Sequence, residues 1–300
     1  MRVAIHLCLI LNAFTSAACA QSPSAAVSAL SGEKAMEHVR TQVAFGPRPA
    51  GSDALDKTRQ YLIKQLEGYG YQIEQDAFDA ATPYGPKGMV NLVAHKGFGA
   101  GNIIAFASHY DTKYFESFRF VGANDGGSST GLLLELARVL GSRKTDFDYW
   151  FVFLDGEEAF VEWSPFDGTY GSRHLAKRWK SEGTTAKVKC LILLDMIGVK
   201  KLDIQKESNS TPWLMDTAWS TAIEQGMQDI LTKGPPADIQ DDHLPFLDVG
   251  IPSIDIISWN YDPWHTEGDT LDKLSSLSIE KVGKLVLFAL PKIEKRLSTR

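Results

Sequence analysis

The chain has 300 residues, 44% hydrophobic and 23% charged, with a formal net charge of −6. That much apolar surface excludes a disordered chain, and 25 Gly and 13 Pro scattered without a period exclude a collagen-like or low-complexity one. The acidic balance argues against general affinity for nucleic acid or anionic membranes, and no run of about 18 apolar residues is present to span a bilayer.

The N-terminus reads as an address. Arg2 precedes the mostly apolar run Val3 to Phe14, and Ala18-Cys19-Ala20 places small residues at both key cleavage positions. Residues 1–20 are therefore expected to be a secretory signal peptide, with a lipoprotein signal ending at Cys19 as the alternative. Either places the mature protein outside the cytoplasm, secreted or periplasmic. Cleavage after Ala20 leaves Cys190 as the sole thiol, so no internal disulfide is available. Cys190 lies in the apolar run Val188 to Leu194 and is expected to be a buried, inert thiol.

Residues 21–32 are rich in Ser and Ala and are expected to be loose. A helix follows over Glu33 to Phe45, stopped by Gly46-Pro47-Arg48-Pro49. Ser52 or Asp53 caps a second, with Leu55, Leu62 and Leu66 on one face. Strands are predicted over Tyr71 to Phe78, Met89 to His95 and Asn102 to Ser108, the last continuous and apolar as a buried central strand should be. A helix over Gly131 to Leu140 leads to a strand over Tyr149 to Leu154. The helix Gly168 to Ser181 leads to the Cys190 strand. A long helix is predicted over Trp213 to Leu231, a short strand over Ile251 to Ile257, and a closing helix over Ile279 to Ile293. Strands alternating with helices predict one α/β domain over 33–300, with a mainly parallel sheet and helices on both faces.

Four polar clusters share one placement. Ser108-His109-Tyr110-Asp111, Asp155-Gly156-Glu157-Glu158, Asp195 and Trp264-His265 each follow a predicted strand. In open α/β sheets the carboxyl ends of the strands form the ligand crevice. A fifth element, Ala123-Asn124-Asp125-Gly126-Gly127, precedes a helix. Catalytic zinc takes three His or carboxylate ligands and keeps one position open. Asp125, Glu158 and His265 supply such a set. Glu157 and Glu158 are neighbours in a segment expected to be extended, so their side chains point to different sides. One can hold a metal while the other faces a substrate as a proton carrier.

The order His-x-Asp, Asp, Glu-Glu, Asp, His resembles the M28 zinc aminopeptidases and their offshoot, the glutaminyl-peptide cyclotransferases, from about Glu33 to Ile293. The finer text is similar to the cyclotransferases: Ser108 to Phe115, Phe120 to Asp125, Asp155 to Phe160, Trp163-Ser164-Pro165, Tyr170 to Ala176, Gln240 to Leu247 and Trp264-His265-Thr266. The resemblance implies a three-layer α/β/α fold around a mixed, mostly parallel, twisted sheet. It implies one zinc per chain on Asp125, Glu158 and His265, with Glu157 as general acid/base. Asp195 and Asp241 are implied as carboxylates hydrogen-bonding near it. Trp163, Trp264 and Gln240 are implied as substrate-pocket residues. A cis peptide at Asp125–Gly126 is implied as well.

This sequence departs from the animal members in three places. It lacks their half-cystine pair flanking the Asp125 segment, carries Asp255 where they have a histidine, and has a loop one residue shorter over Ser258 to Pro263. The ending Trp264 to Leu274 also reads partly like the aminopeptidases, as a bacterial-type member would.

The reaction implied is closure of an N-terminal glutaminyl residue into pyroglutamate with release of ammonia. Partners implied are peptides or proteins with N-terminal Gln, acted on by a monomer. The main rival is a two-zinc aminopeptidase using His109, Asp125, Glu158, Asp195 and His265, in which Glu157 activates a bridging water. A non-catalytic binding member is the third reading; such proteins lose ligands, and none is lost here.

Overall fold

The computed structural model describes residues 23–97 and 101–299. The proposed signal peptide lies outside the described residues. In chain order the elements are α1 (Pro23–Ala29), α2 (Gly32–Phe45), α3 (Asp53–Gly68), β1 (Gln72–Thr82), β2 (Gly85–His95), β3 (Ile103–His109), α4 (Gly127–Leu140), β4 (Asp148–Leu154), α5 (Tyr170–Ser181), β5 (Val188–Asp195), α6 (Pro212–Glu224), α7 (His243–Asp248), β6 (Ser253–Ile257) and α8 (Ser276–Ser298).

The sheet runs β1-β2-β4-β3-β5-β6. β4, β3, β5 and β6 are mutually parallel, while β1 and β2 form an antiparallel hairpin added at the β4 edge. Every residue of β3 and β6 is buried, as expected for strands covered on both faces. Side chains alternate across the sheet. Ile104, Phe106, Phe151, Phe153, Cys190 and Ile192 join a large core with α1–α4, α6 and α8. Ala105, Ala107, Val152, Leu154, Leu191 and Leu193 join a smaller one with Trp179 of α5 and Phe246 of α7. This is the expected three-layer fold. Cys190 is free and fully buried in β5, and burial pushes its thiol well above the usual range.

Several boundaries differ from the sequence reading. The segment expected to be loose carries α1 over its described part, with Ala26 and Leu30 buried against the larger core. Two turns of Ala-rich chain are enough to bury one apolar edge there. The helix predicted over 213–231 ends at Glu224, because Gly226 turns left-handed (φ 68). α4 starts one turn earlier than expected, since Gly126 (φ 70) swings the chain directly into it. The implied cis bond at Asp125–Gly126 is not found; all described peptide bonds are trans.

The parallel register aligns the strand ends. His109 lies beside Leu154, and Asp195 beside Ile257. The segments that leave β3, β4, β5 and β6 therefore start from one edge of the sheet, which is where the polar clusters were expected.

Candidate functional site

The floor of the site is a knot of buried acids around two imidazoles. His109, the last residue of β3, places Nε2 3.2 Å from Asp125 Oδ1 and 3.2 Å from Asp195 Oδ1. Its Nδ1 faces Asp111 Oδ1 at 3.4 Å and Glu157 Oε2 at 3.9 Å. His265 Nε2 lies 3.1 Å from Glu158 Oε2 and 3.4 Å from Asp125 Oδ2. Asp125 thus stands between the two rings.

Backbone placement is fixed by further carboxylates. Asp111 accepts from the N–H groups of Glu157 and Glu158 at 3.1 and 3.3 Å. Asp269 accepts from those of Asn124 and Asp125 at 2.8 and 3.1 Å, and from Tyr261 Oη at 2.8 Å. A β-carbon on Gly126 would stand 2.8 Å from the Asp111 carbonyl and 2.9 Å from His109 Cε1, so only glycine lets this turn approach the imidazole. Met196 and His265 hold left-handed backbone (φ 51 and 54). Non-glycine residues in that region concentrate at functional sites.

Two donor sets within ligating distance emerge, Asp125–Glu158–His265 and His109–Asp125–Asp195. Both mix imidazole with carboxylate, the ligand types that suit zinc. Asp125 Oδ2 is buried and accepts no hydrogen bond, although His265 Nε2 is 3.4 Å away. An acceptor left in that state is costly unless a cation or donor meets it, so the residues fit a metal ion.

Charge crowding sets the proton affinities. Burial, then the neighbouring Glu158, Asp241 and Asp242 carboxylates, push Glu157 well above the usual carboxylate range, against the pull of His109. Burial and the carboxylates of Asp195 and Asp242 do the same to Asp241. Burial also opposes ionisation of Asp125, but the His109 and His265 rings on either side of it win and hold it low.

Above this floor opens a cleft of about 450 Å³. Nine of the residues singled out from the sequence line it, Asp125, Glu157, Glu158, Trp163, Asp195, Gln240, Asp241, Trp264 and His265, while His109 lies beneath them. Trp264 stacks on the His265 ring (centroids 3.9 Å apart) and meets Trp259 at 4.7 Å. Trp259, Val161 and Ile239 also line the cleft. They escaped the sequence reading, because an apolar residue in a loop looks like ordinary packing. Asp269 escaped it too; its only signal was an acid four residues after His265.

Asp255, the departure from the animal pattern, is fully buried on β6, and among the described residues neither of its carboxylate oxygens has a hydrogen-bond partner. Burial and the carboxylates of Asp241 and Asp195 raise it well above the usual range.

The model of Peptidase family M28 matches residues 91–290. A glutaminyl-peptide cyclotransferase-like protein of Bos taurus is 32% identical over 274 residues, covering 80% of this chain and 70% of its own length. This chain belongs to peptidase family M28, in its glutaminyl-peptide cyclotransferase group. Among solved M28-like structures, a glutaminyl cyclase from an Acidobacteriales bacterium is similar with a TM-score of 0.85 and 37% identity, covering 89% of this chain and 96% of the other. A Zn-dependent exopeptidase from Parabacteroides distasonis is similar with a TM-score of 0.78 and 26% identity, covering 86% and 97%. The M28 scaffold thus accounts for the strand-end floor, and no helix among the described residues is long and apolar enough to cross a membrane.

Proposed function

We propose that this chain cyclises N-terminal glutaminyl residues of peptides and proteins to pyroglutamate and releases ammonia. The observation that carries this reading is the pairing of the Asp125–Glu158–His265 donor set with Glu157 on the floor of a cleft walled by Trp163 and Trp264. A small side chain folded back on its own amine fits such a space better than a long peptide threading through it.

In this reading one zinc per chain is held by Asp125, Glu158 and His265. Bound zinc supplies Lewis acidity toward the γ-amide carbonyl oxygen of the substrate. The substrate's α-amine nitrogen forms a bond to the carbonyl carbon of the side-chain amide (Cδ), and the bond from that carbon to the amide nitrogen breaks. Glu157 takes the proton shed by the α-amine and returns it to the departing nitrogen, which leaves as ammonia. Asp195 and Asp241 brace the proton-carrying side of the cleft. Trp163, Trp264 and Gln240 hold the side chain against the amine, the contribution of proximity. The same walls exclude water, which would otherwise deamidate the substrate.

One specific observation favours a second reading, an M28 aminopeptidase with two metals. His109 Nε2 lies equally close to Asp125 and Asp195, completing a second donor set. Glutamine 2-naphthylamide separates the two. Ammonia release with the naphthylamide bond intact is expected; free naphthylamine as the main product overturns the cyclase reading. Elemental analysis of the same preparation is expected to give one zinc per monomer. Export through residues 1–20 is part of the proposal and is read from the mature N-terminus by mass spectrometry.

A further inference from the structure

We propose that Asp167 is the positioning residue for the Trp163 wall of the cleft, fixing how substrate is held without touching it. The inference rests on the cleft being the substrate site.

The loop between Glu158 and α5 contains no helix or strand, yet its course is tightly determined. Three consecutive N–H groups turn inward to one carboxylate. Phe160 donates to Asp167 Oδ1 at 2.8 Å, and Val161 and Glu162 donate to Oδ2 at 2.8 and 3.1 Å. Tyr170 Oη, from the first turn of α5, donates to Oδ1 at 2.8 Å. Ser164 and Asp167 also exchange backbone hydrogen bonds at 3.0 and 3.2 Å, closing the loop on itself. Trp163 sits inside this closure, between the donors and the carboxylate.

Beyond the clamp, Arg173 donates to the Pro165 and Gly168 carbonyls at 2.7 Å each, and Phe160 packs beside Tyr170, but the tip of the loop keeps its apolar side chains outside. Val161 is 59% exposed and Phe166 82%, whereas Asp167 is 5%. An exposed loop tip is ordinarily mobile. At this tip the usual order is inverted, with the acid inside and Val161 and Phe166 outside. Hydrogen bonds from N–H groups to an ionised carboxylate are among the stronger ones. They hold Asp167 below the usual carboxylate range against its own burial. The next residue supplies a backstop. Gly168 takes φ 121, and a β-carbon there would come 3.0 Å from Cε3 of Trp163, so the indole packs against bare backbone. Of the side chains that the 161–163 segment gives the cleft, Val161, Glu162 and Trp163, the clamp acts on substrate binding through Trp163.

The test is a double-mutant cycle on the zinc-loaded full-length enzyme with glutamine 2-naphthylamide as the probe. D167N is expected to raise KM about tenfold with kcat changed less than about threefold, the signature of lost binding rather than lost chemistry. W163A is expected to do the same. The decisive outcome is the pair, because residues acting through one contact are not additive. D167N in the W163A background is expected to have no further effect; a full additional loss, or a fall in kcat at constant KM, overturns the proposal.

A second measurement is independent of turnover. Acrylamide quenching of Trp163, isolated by subtracting W163F from the parent protein, is expected to increase in D167N. Unchanged quenching overturns the clamp even if the wild type releases no ammonia, an outcome that refutes the cyclase reading instead. Should D167N fail to fold, Y170F strips one donor from the carboxylate and leaves three. It is expected to raise KM about two- to threefold, and an unchanged KM there overturns the proposal.

Discussion

The floor and the rim of the cleft are built by different means. On the floor, His109, Asp125 and Asp195 are 1%, 3% and 7% exposed; His109 and Asp195 end β3 and β5, and Asp125 leads into α4. On the rim, Trp163 and Trp264 are 39% and 37% exposed and ride on loops. The floor is rigid because packed strands bring its groups to one edge and the groups brace one another. The rim has no such support. Each of its loops is tied down by a buried carboxylate that takes up backbone N–H groups: Asp167 for the Trp163 loop, Asp269 behind the Trp264–His265 turn, and Glu207 for the 238–241 segment. A cleft can thus have a binding wall as well defined as its reactive centre when polar clamps replace apolar packing.

The largest effect separates the two regions by chemistry. E157Q keeps the shape of the floor but removes the group that carries the proton. Its kcat for glutamine 2-naphthylamide is expected to fall by about 10²- to 10⁴-fold, with KM and zinc content unchanged. A variant retaining wild-type kcat would break the assignment of the floor as the reactive half.

The next effect joins the regions. D269N keeps one oxygen for Asn124 and Tyr261 but turns an amide group toward the Asp125 N–H, which Oδ2 now receives at 3.1 Å. Residues that orient a metal ligand in this way typically alter metal affinity about 10- to 100-fold. Competition with a fluorescent chelator is expected to show that loss. Activity at limiting zinc should fall with it and recover in excess zinc. Unaltered affinity would show that the rim does not reach the floor.

This contrast also governs what was legible in the sequence. His109, Glu157, Glu158, Asp195 and His265 could be found because a strand end is a topological address, and polar residues after apolar runs mark it; Asp125 was found in the polar turn that precedes a helix. Trp163, Trp264 and Gln240 became visible only through resemblance, since an indole in a loop carries no periodic signal. Asp167, Glu207 and Asp269 stayed hidden. Most of their partners are backbone N–H groups, which every residue has, so the partner's identity betrays little of the pairing. The helix at 23–29 was missed for a related reason: seven residues give too few turns for a period to show. Asp255 was visible as a departure, and its burial beneath α7 was not, because that depends on where the 243–248 turn packs.

The smallest effect tests a rim clamp by stability and not by catalysis. Glu207 is 2% exposed and accepts at Oε1 from the N–H and side-chain amide of Asn209 at 2.8 and 2.9 Å and from the Ile239 N–H at 3.4 Å. Oε2 takes Ser210 Oγ at 2.8 Å and His243 Nε2 at 3.1 Å. Burial opposes its ionisation, but His243 and these donors hold it down to about 2 from the usual 4.5. A carboxylate depressed on folding stabilises the native state fully above its unfolded pKa. That contribution drains away as pH falls from about 4.5 toward about 2. E207Q is expected to cost about 1–3 kcal/mol at pH 7 by setting an amide against buried donors. It should also flatten the fall in stability between those two pH values, both read from urea melts. Its zinc content is expected to stay at the wild-type value, because Glu207 touches none of the floor groups. A loss of zinc together with stability would mean that the 238–241 wall and the metal-binding floor unfold as one unit, erasing the distinction between them.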